Sequence, residues 1–207
     1  LLLGTLMFWL LEHNNPATFG NAGPGGQLMA AFFQSATART AGFNTVDIGQ
    51  MVPASLLFMM MLMFIGAGAT STGGGIKVTT FAVVLLATRA FLTKRPHVTA
   101  FGRTLSPQIV TRSLAIIIVS TMVLMLAMFL LMLTESQSFD KIMFETISAF
   151  ATVGLSTGIT ASLSEPGKLI LVLVMICGRL GPLTLAIMLA RPVETRIRYP
   201  EESVYTG

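Results

Sequence analysis

The chain reads as an all-α membrane protein built from two copies of a long–short–long helical unit. Three observations predict this. Of its 207 residues, 53% are hydrophobic and 11% charged, with a mean hydropathy of +0.78, whereas soluble domains carry about 25% charged residues. Four strong apolar runs alternate with two shorter, half-apolar segments that each end in threonine and glycine. The halves also repeat: TAGFNT (40–45) lies over TVGLST (152–157) at an offset of 112, and Phe32 falls on Phe144. Repetition at that scale belongs to the fold.

The first run, 1–11, ends at Glu12 and is too short for a span of about 20 residues. It begins in mid-helix without an initiating methionine, so the reading expects residue 1 not to be the natural start. The segment 27–38 follows, too short to cross. After Pro53 comes LLFMMMLMFI, then GAGATSTGGG, then IKVTTFAVVLLATRAFL. The 42 residues from Met51 to Leu92 would make one helix roughly 60 Å long, twice a bilayer core of about 30 Å. The five glycines of 66–75 make a poor helix, so a single crossing broken in its middle is predicted. The second unit is a run over 109–133, a short segment over 139–151 and a run over 169–190. Pro53 and Pro166 lie eleven and twelve residues past Gly42 and Gly154, and suit the first turn of a following helix.

Between residues 89 and 112 stand Arg89, Lys94, Arg95, Arg103 and Arg112, with no acidic residue. The positive-inside rule places this loop in the cytoplasm, the two short segments outside, and the tail with Arg191, Arg196 and Arg198 back in the cytoplasm. The net charge of +4 is spread over such loops and is no nucleic-acid signal. Cys177 is the single cysteine, which excludes an internal disulfide or a CxxC metal site. His13 and His97 have no carboxylate or cysteine cluster beside them. The sequence offers no nucleophile–base pair and no paired carboxylates, so an enzyme is not predicted. Gly75-Ile76-Lys77-Val78 lacks the adjacent Gly-Lys and following Ser or Thr of a phosphate-binding loop.

An unpaired backbone group in a bilayer costs several kcal/mol, so irregular chain at membrane depth survives only against protein or a water-filled cavity. Each short segment has the form of a helix, then T-x-G, then a polar turn. Glycine tolerates positive φ and lets the backbone turn its carbonyls to one side, and carbonyls in a ring can replace the hydration shell of a potassium ion. The two T-x-G stretches therefore read as re-entrant pore loops.

The motifs TARTAGFNT (37–45), GAGATSTGGGIK (66–77), FETISAFATVGLSTG (144–158), CGRLGPLT (177–184) and RYPEESVYTG (198–207) resemble, in order, the second half of the Trk/Ktr/HKT family of potassium transporters. That resemblance implies four M1–pore-loop–M2 repeats around one pore, of which this chain holds repeats three and four: 1–93 a truncated repeat with a gating loop, 94–108 a cytoplasmic basic linker, 109–190 the last repeat, and 191–207 a cytoplasmic tail. It implies a selectivity filter at Thr40, Ala41, Gly42 and Phe43 with Thr152, Val153, Gly154 and Leu155. Family gating residues correspond to Gly66, Gly68, Thr70, Ser71, Gly73, Gly74, Gly75 and Lys77 in the break and to Arg179. The implied ion is K+, with Na+ also able to pass because the second filter glycine of familiar channels is Thr45 or Ser156–Thr157 here. Implied partners are a bilayer (a bacterial plasma membrane), a second copy of the subunit, a cytoplasmic KtrA-like nucleotide-binding ring with no nucleotide on this chain itself, and the upstream half of the same protein. Loop 89–112 and tail 191–207 would face the ring or the second copy.

Arg179 sits inside an apolar run, where an arginine costs about 2.5–3.5 kcal/mol unless it faces a cavity. Two other readings stand against the pore subunit. A secondary symporter also uses broken helices, but not paired T-x-G loops on one side. A non-transporting assembly subunit would tolerate changes at Gly42 and Gly154.

Overall fold

The computed structural model describes residues 1–66, 68 and 73–181. In order these form α1 (Leu2–Glu12), α2 (Pro24–Thr37), a 3₁₀ turn (Ile48–Gln50), α3 (Pro53–Phe64), α4 (Val78–Leu92), a two-strand hairpin β1 (Thr99–Ala100) and β2 (Arg103–Thr104), α5 (Pro107–Thr134), α6 (Phe139–Phe150), a second 3₁₀ turn (Thr160–Ser162) and α7 (Glu165–Leu180). The described helices lie on the predicted apolar runs; the last run beyond residue 181 and the tail 191–207 lie outside the described residues. The hairpin is a departure from the all-helical expectation. It turns on Phe101 and Gly102, both at positive φ, and lies wholly within the basic loop.

Among the described residues only α5 is long and apolar enough to cross a bilayer by itself; its 28 residues span about 42 Å at 1.5 Å each. Pro53 and Pro166 stand in the first turns of α3 and α7. There the missing N–H costs nothing, because a helix's first donors have no internal partner. α3 stops at Phe64 and α4 starts at Val78. Between them Gly66 N–H donates to Ile76 O (2.9 Å) and Ile76 N–H to Phe64 O (3.3 Å), a lone parallel bridge that pins the end of the break to its beginning.

Two apolar cores hold the helices. One gathers Phe8, Phe19, Met59 and Met63 of the first unit with Phe144, Val153 and Leu155 of the second. The other joins α5, α6 and α7 through Leu124, Leu131, Ile142, Phe150, Leu171 and Val174. α6 packs on α3, α5 and α7. The second short segment is thus the keystone of both cores, which fixes where its loop sits.

One device recurs in both units. Glu12, fully buried at the end of α1, accepts Val52 N–H (2.8 Å), Asn15 Nδ2 (2.7 Å) and Thr18 Oγ1 (2.6 Å). Glu135, just past α5, accepts Ser164 N–H (3.1 Å) and the Ser164 hydroxyl. Val52 and Ser164 are the N-cap residues of α3 and α7. In each unit a glutamate at the end of the first helix ties down the start of the third.

Candidate ion site: two facing T-x-G loops

Both short helices end where the threonine–glycine stretches begin: α2 at Thr37 and α6 at Phe150. A helix C-terminus carries a partial negative charge and unsatisfied carbonyls, and so favours a nearby cation. Beyond each end the backbone follows the same rhythm. Thr40 has φ +66 and Gly42 φ +75; Thr152 has φ +53 and Gly154 φ +91. A threonine at positive φ is costly, by roughly 1–2 kcal/mol. Its occurrence at both equivalent positions marks a conformation imposed by the surroundings. Alternating the sign of φ lets successive carbonyls face one side, which an ordinary strand does not do.

The loops touch. A Cβ on Gly42 would lie 2.3 Å from Val153 O, and one on Gly154 would lie 3.8 Å from the Gly42 Cα. Val153 and Leu155 are buried in the shared core, while Gly154 between them is exposed. Side chains on one side of the loop anchor it and leave its backbone open on the other. Thr37 Oγ1 donates to Phe43 O, and Ser148 Oγ donates to Leu155 O (2.6 Å). The fourth carbonyl of each expected filter is thereby turned back toward its own short helix. Among the described residues no donor reaches the carbonyls of Thr40, Ala41, Gly42, Thr152, Val153 or Gly154.

Sequence reasoning missed Glu145. This buried carboxylate of α6 accepts Ser156 Oγ (2.6 Å), Thr157 N–H (3.0 Å) and Thr160 Oγ1 (2.8 Å), and so holds the turn after the second loop. With Ser148, Thr152, Gly154 and Leu171 it borders a cavity of about 300 Å³ between α6 and α7. The signal was available: a glutamate in the middle of a half-apolar short helix, followed eleven residues on by Ser-Thr.

The break meets the same loop from another side. Gly74 N–H donates to Thr152 Oγ1 (2.9 Å), and Lys77 Nζ donates to Gly73 O (2.8 Å). Gly66 is buried beneath Gly74, and Gly68 is exposed. Thr70 and Ser71 lie outside the described residues. Arg179 stands exposed in the last turn of α7. The structure thus brings residues 73–75 to the second loop and the two loops to each other. Among the described residues no group of three His, Cys, Asp or Glu could hold a metal.

A family model described as "TrkH: Cation transport protein" matches residues 2–197. The chain belongs to that family. It is 65% identical, over its whole length, to the Ktr system potassium uptake protein B of Vibrio alginolyticus, covering 46% of that protein. It is 41% identical to the protein of the same name from Bacillus subtilis, again over its whole length and covering 48% of the relative. These relatives are named as transport proteins, not enzymes. The chain spans about half the length of the relatives it matches. In fold it superposes, with a TM-score of 0.75, on the crystal structure of the potassium transporter TrkH from Vibrio parahaemolyticus, at 23% identity over 91% of this chain and 42% of that one.

Proposed function

We propose that this chain supplies two of the four quarters of a potassium-conducting pore, as the C-terminal half of an ion-translocating membrane subunit. The observation that carries the reading is the pair of facing loops, each with positive φ at both its threonine and its glycine and with its first three carbonyls reached by no donor among the described residues. Thr40, Ala41 and Gly42 with Thr152, Val153 and Gly154 then offer carbonyls to a dehydrated K+. Phe43 and Leu155 act as the outer stops of the filter. The turn of their carbonyls toward α2 and α6 shortens the oxygen stack, which favours a looser preference that admits some Na+.

The break over residues 66–77 acts as the gate below the filter, with Arg179 as a fixed positive charge that raises the barrier to cations. The subunit works in a bacterial plasma membrane as a multi-pass protein, paired with a second copy and seated on a cytoplasmic ring that binds the nucleotide. The basic hairpin region faces that ring. One asymmetry supports an incomplete ring of repeats. Leu155 of the second loop is 3% exposed against the first unit, whereas the equivalent Phe43 is 71% exposed, as it would be if its neighbouring repeat lay upstream.

The test is Rb+ or K+ uptake into proteoliposomes by the full-length protein, wild type against Gly154→Ser. A Cβ at φ +91 strains the loop whatever the space around it. Uptake that is lost or becomes Na+-permeable supports the filter. Equal K+/Na+ preference in both proteins sinks it and favours the assembly-subunit reading.

A further inference from the structure

The exit limb of the break and the end of α7 meet at one backbone oxygen of the second loop. Phe150 O closes α6, and the last carbonyls of a helix have no donor within it. A Cβ on Gly178 would lie 1.8 Å from this oxygen, and one on Gly74 would lie 3.0 Å from it. Gly178 therefore presses a Cα hydrogen on an acceptor that no donor among the described residues reaches, a contact that substitutes weakly for a hydrogen bond, and Gly74 packs against the same oxygen. Gly74 also donates its N–H to Thr152 Oγ1, and a Cβ on it would lie 2.8 Å from both the hydroxyl and the methyl of Thr152. Gly75, at φ +75, carries the limb past Ala151. The bridge between Ile65 and Ile76 ties the same limb to α3.

Resting on the pore reading above, we propose that Gly74 and Gly178 are positioning residues that seat the break and α7 directly on residues 150–152, so that the position of the break sets the ion preference of the filter. The physical reason is proximity without slack. The Thr152 side chain is the limb's nearest neighbour on the loop, and the directional bond from Gly74 N–H lands on its hydroxyl, on the first residue of the second expected filter stretch. Interiors are packed too tightly to absorb a shift of the limb locally. A limb that leaves its seat takes the donor from Thr152 and the support from Phe150 O, and the φ +53 conformation of Thr152 loses one of the contacts that impose it. Gate and filter are then one coupled element rather than two in series.

A double-mutant cycle in the full-length protein, read as the K+/Na+ permeability ratio in proteoliposomes, tests this. Gly74→Ala pushes the limb off its seat, and Thr152→Val removes the acceptor while keeping the shape. Each should lower the ratio at least about threefold, Thr152→Ser should restore it, and Gly74→Ala should add less than about twofold on the Thr152→Val background. Additive effects, or a Gly74→Ala protein that changes total flux at an unaltered ratio, overturn the coupling. Gly154→Ser, measured alongside, separates the two failures. If it shifts the ratio while the cycle is additive, the pore stands and the coupling falls; if it shifts nothing, the pore reading itself falls. Should Gly74→Ala not assemble, the reaction rate of Gly68→Cys with a water-soluble thiol reagent, on a Cys177→Ala background, carries the test. Thr152→Val should raise that rate and Thr152→Ser should not; equal rates overturn the proposal.

Discussion

The two T-x-G loops share a backbone rhythm but are held very differently. The second is embedded: Val153 and Leu155 lie in the core, Glu145 gathers the turn behind it, and Gly74 meets it from the break. The first is nearly bare. Ala41, Phe43, Asn44 and Thr45 are exposed, and the local ties all run to Thr37, whose hydroxyl donates to Phe43 O and whose carbonyl accepts Ala41 and Gly42 N–H. At the offset of 112, Gln34 falls on Thr146 beside Glu145, yet neither amide atom of its fully buried side chain has a partner among the described residues. A repeat duplicated in sequence has thus diverged in what enforces its conformation. Among the described residues the second loop is held by the core, Glu145 and Gly74, and the first by Thr37 and by its contact with Val153 O.

The largest expected effect comes from the point where the loops touch. Gly42→Ala places a methyl 2.3 Å from Val153 O on a residue at φ +75, combining overpacking with backbone strain, together about 2–5 kcal/mol. Gly154→Ala meets only the Gly42 Cα at 3.8 Å and carries the strain alone, about 1–2 kcal/mol. K+ uptake by the full-length protein should fall more with Gly42→Ala than with Gly154→Ala. The reverse order would mean that the loops do not face each other as described.

Next come the carboxylates. Glu145→Ala removes the acceptor of Ser156 Oγ and Thr157 N–H and one of the two acceptors of Thr160 Oγ1, at about 1–3 kcal/mol for the buried Thr157 donor. The turn after the second loop should loosen and the K+/Na+ ratio drop severalfold. Glu12→Ala removes the acceptor of Val52, Asn15 and Thr18, whereas Glu135→Ala strips Ser164 only. The thermal midpoint in detergent should therefore fall further for Glu12→Ala, by a difference on the order of 1–2 kcal/mol. Equal losses would show that the first unit is no more dependent on its glutamate than the second.

Much of this was legible in the residues. Hydropathy placed the helices, Pro53 and Pro166 their starts, and five glycines the interruption after Phe64, because each of these acts through local backbone physics. The T-x-G alignment found both loops for the same reason. What stayed hidden was tertiary. Glu12 and Glu145 are lone acids in apolar surroundings, and composition alone does not say which N–H groups they serve. Gly74 reads as one of five flexible glycines, and only its distance from Thr152 and Phe150 O gives it a role. The hairpin over 99–104 was missed because two-residue strands leave no periodicity to detect.

Gln34 offers the finest test of the asymmetry. A buried amide without partners lowers stability, since its desolvation is not offset by a hydrogen bond. If the first unit is complete as it stands, Gln34→Met should keep the volume, remove the polar atoms and leave the thermal midpoint unchanged or raised by up to about 1 kcal/mol. If the amide instead finds its partner in the upstream half of the pore, the same substitution should be neutral in this segment's own packing but destabilise the full-length protein by about 1–3 kcal/mol. Since Phe43 is exposed on the same side of the comparison while Leu155 is buried, the second outcome is the one expected, measured as a lower midpoint for the full-length Gln34→Met protein.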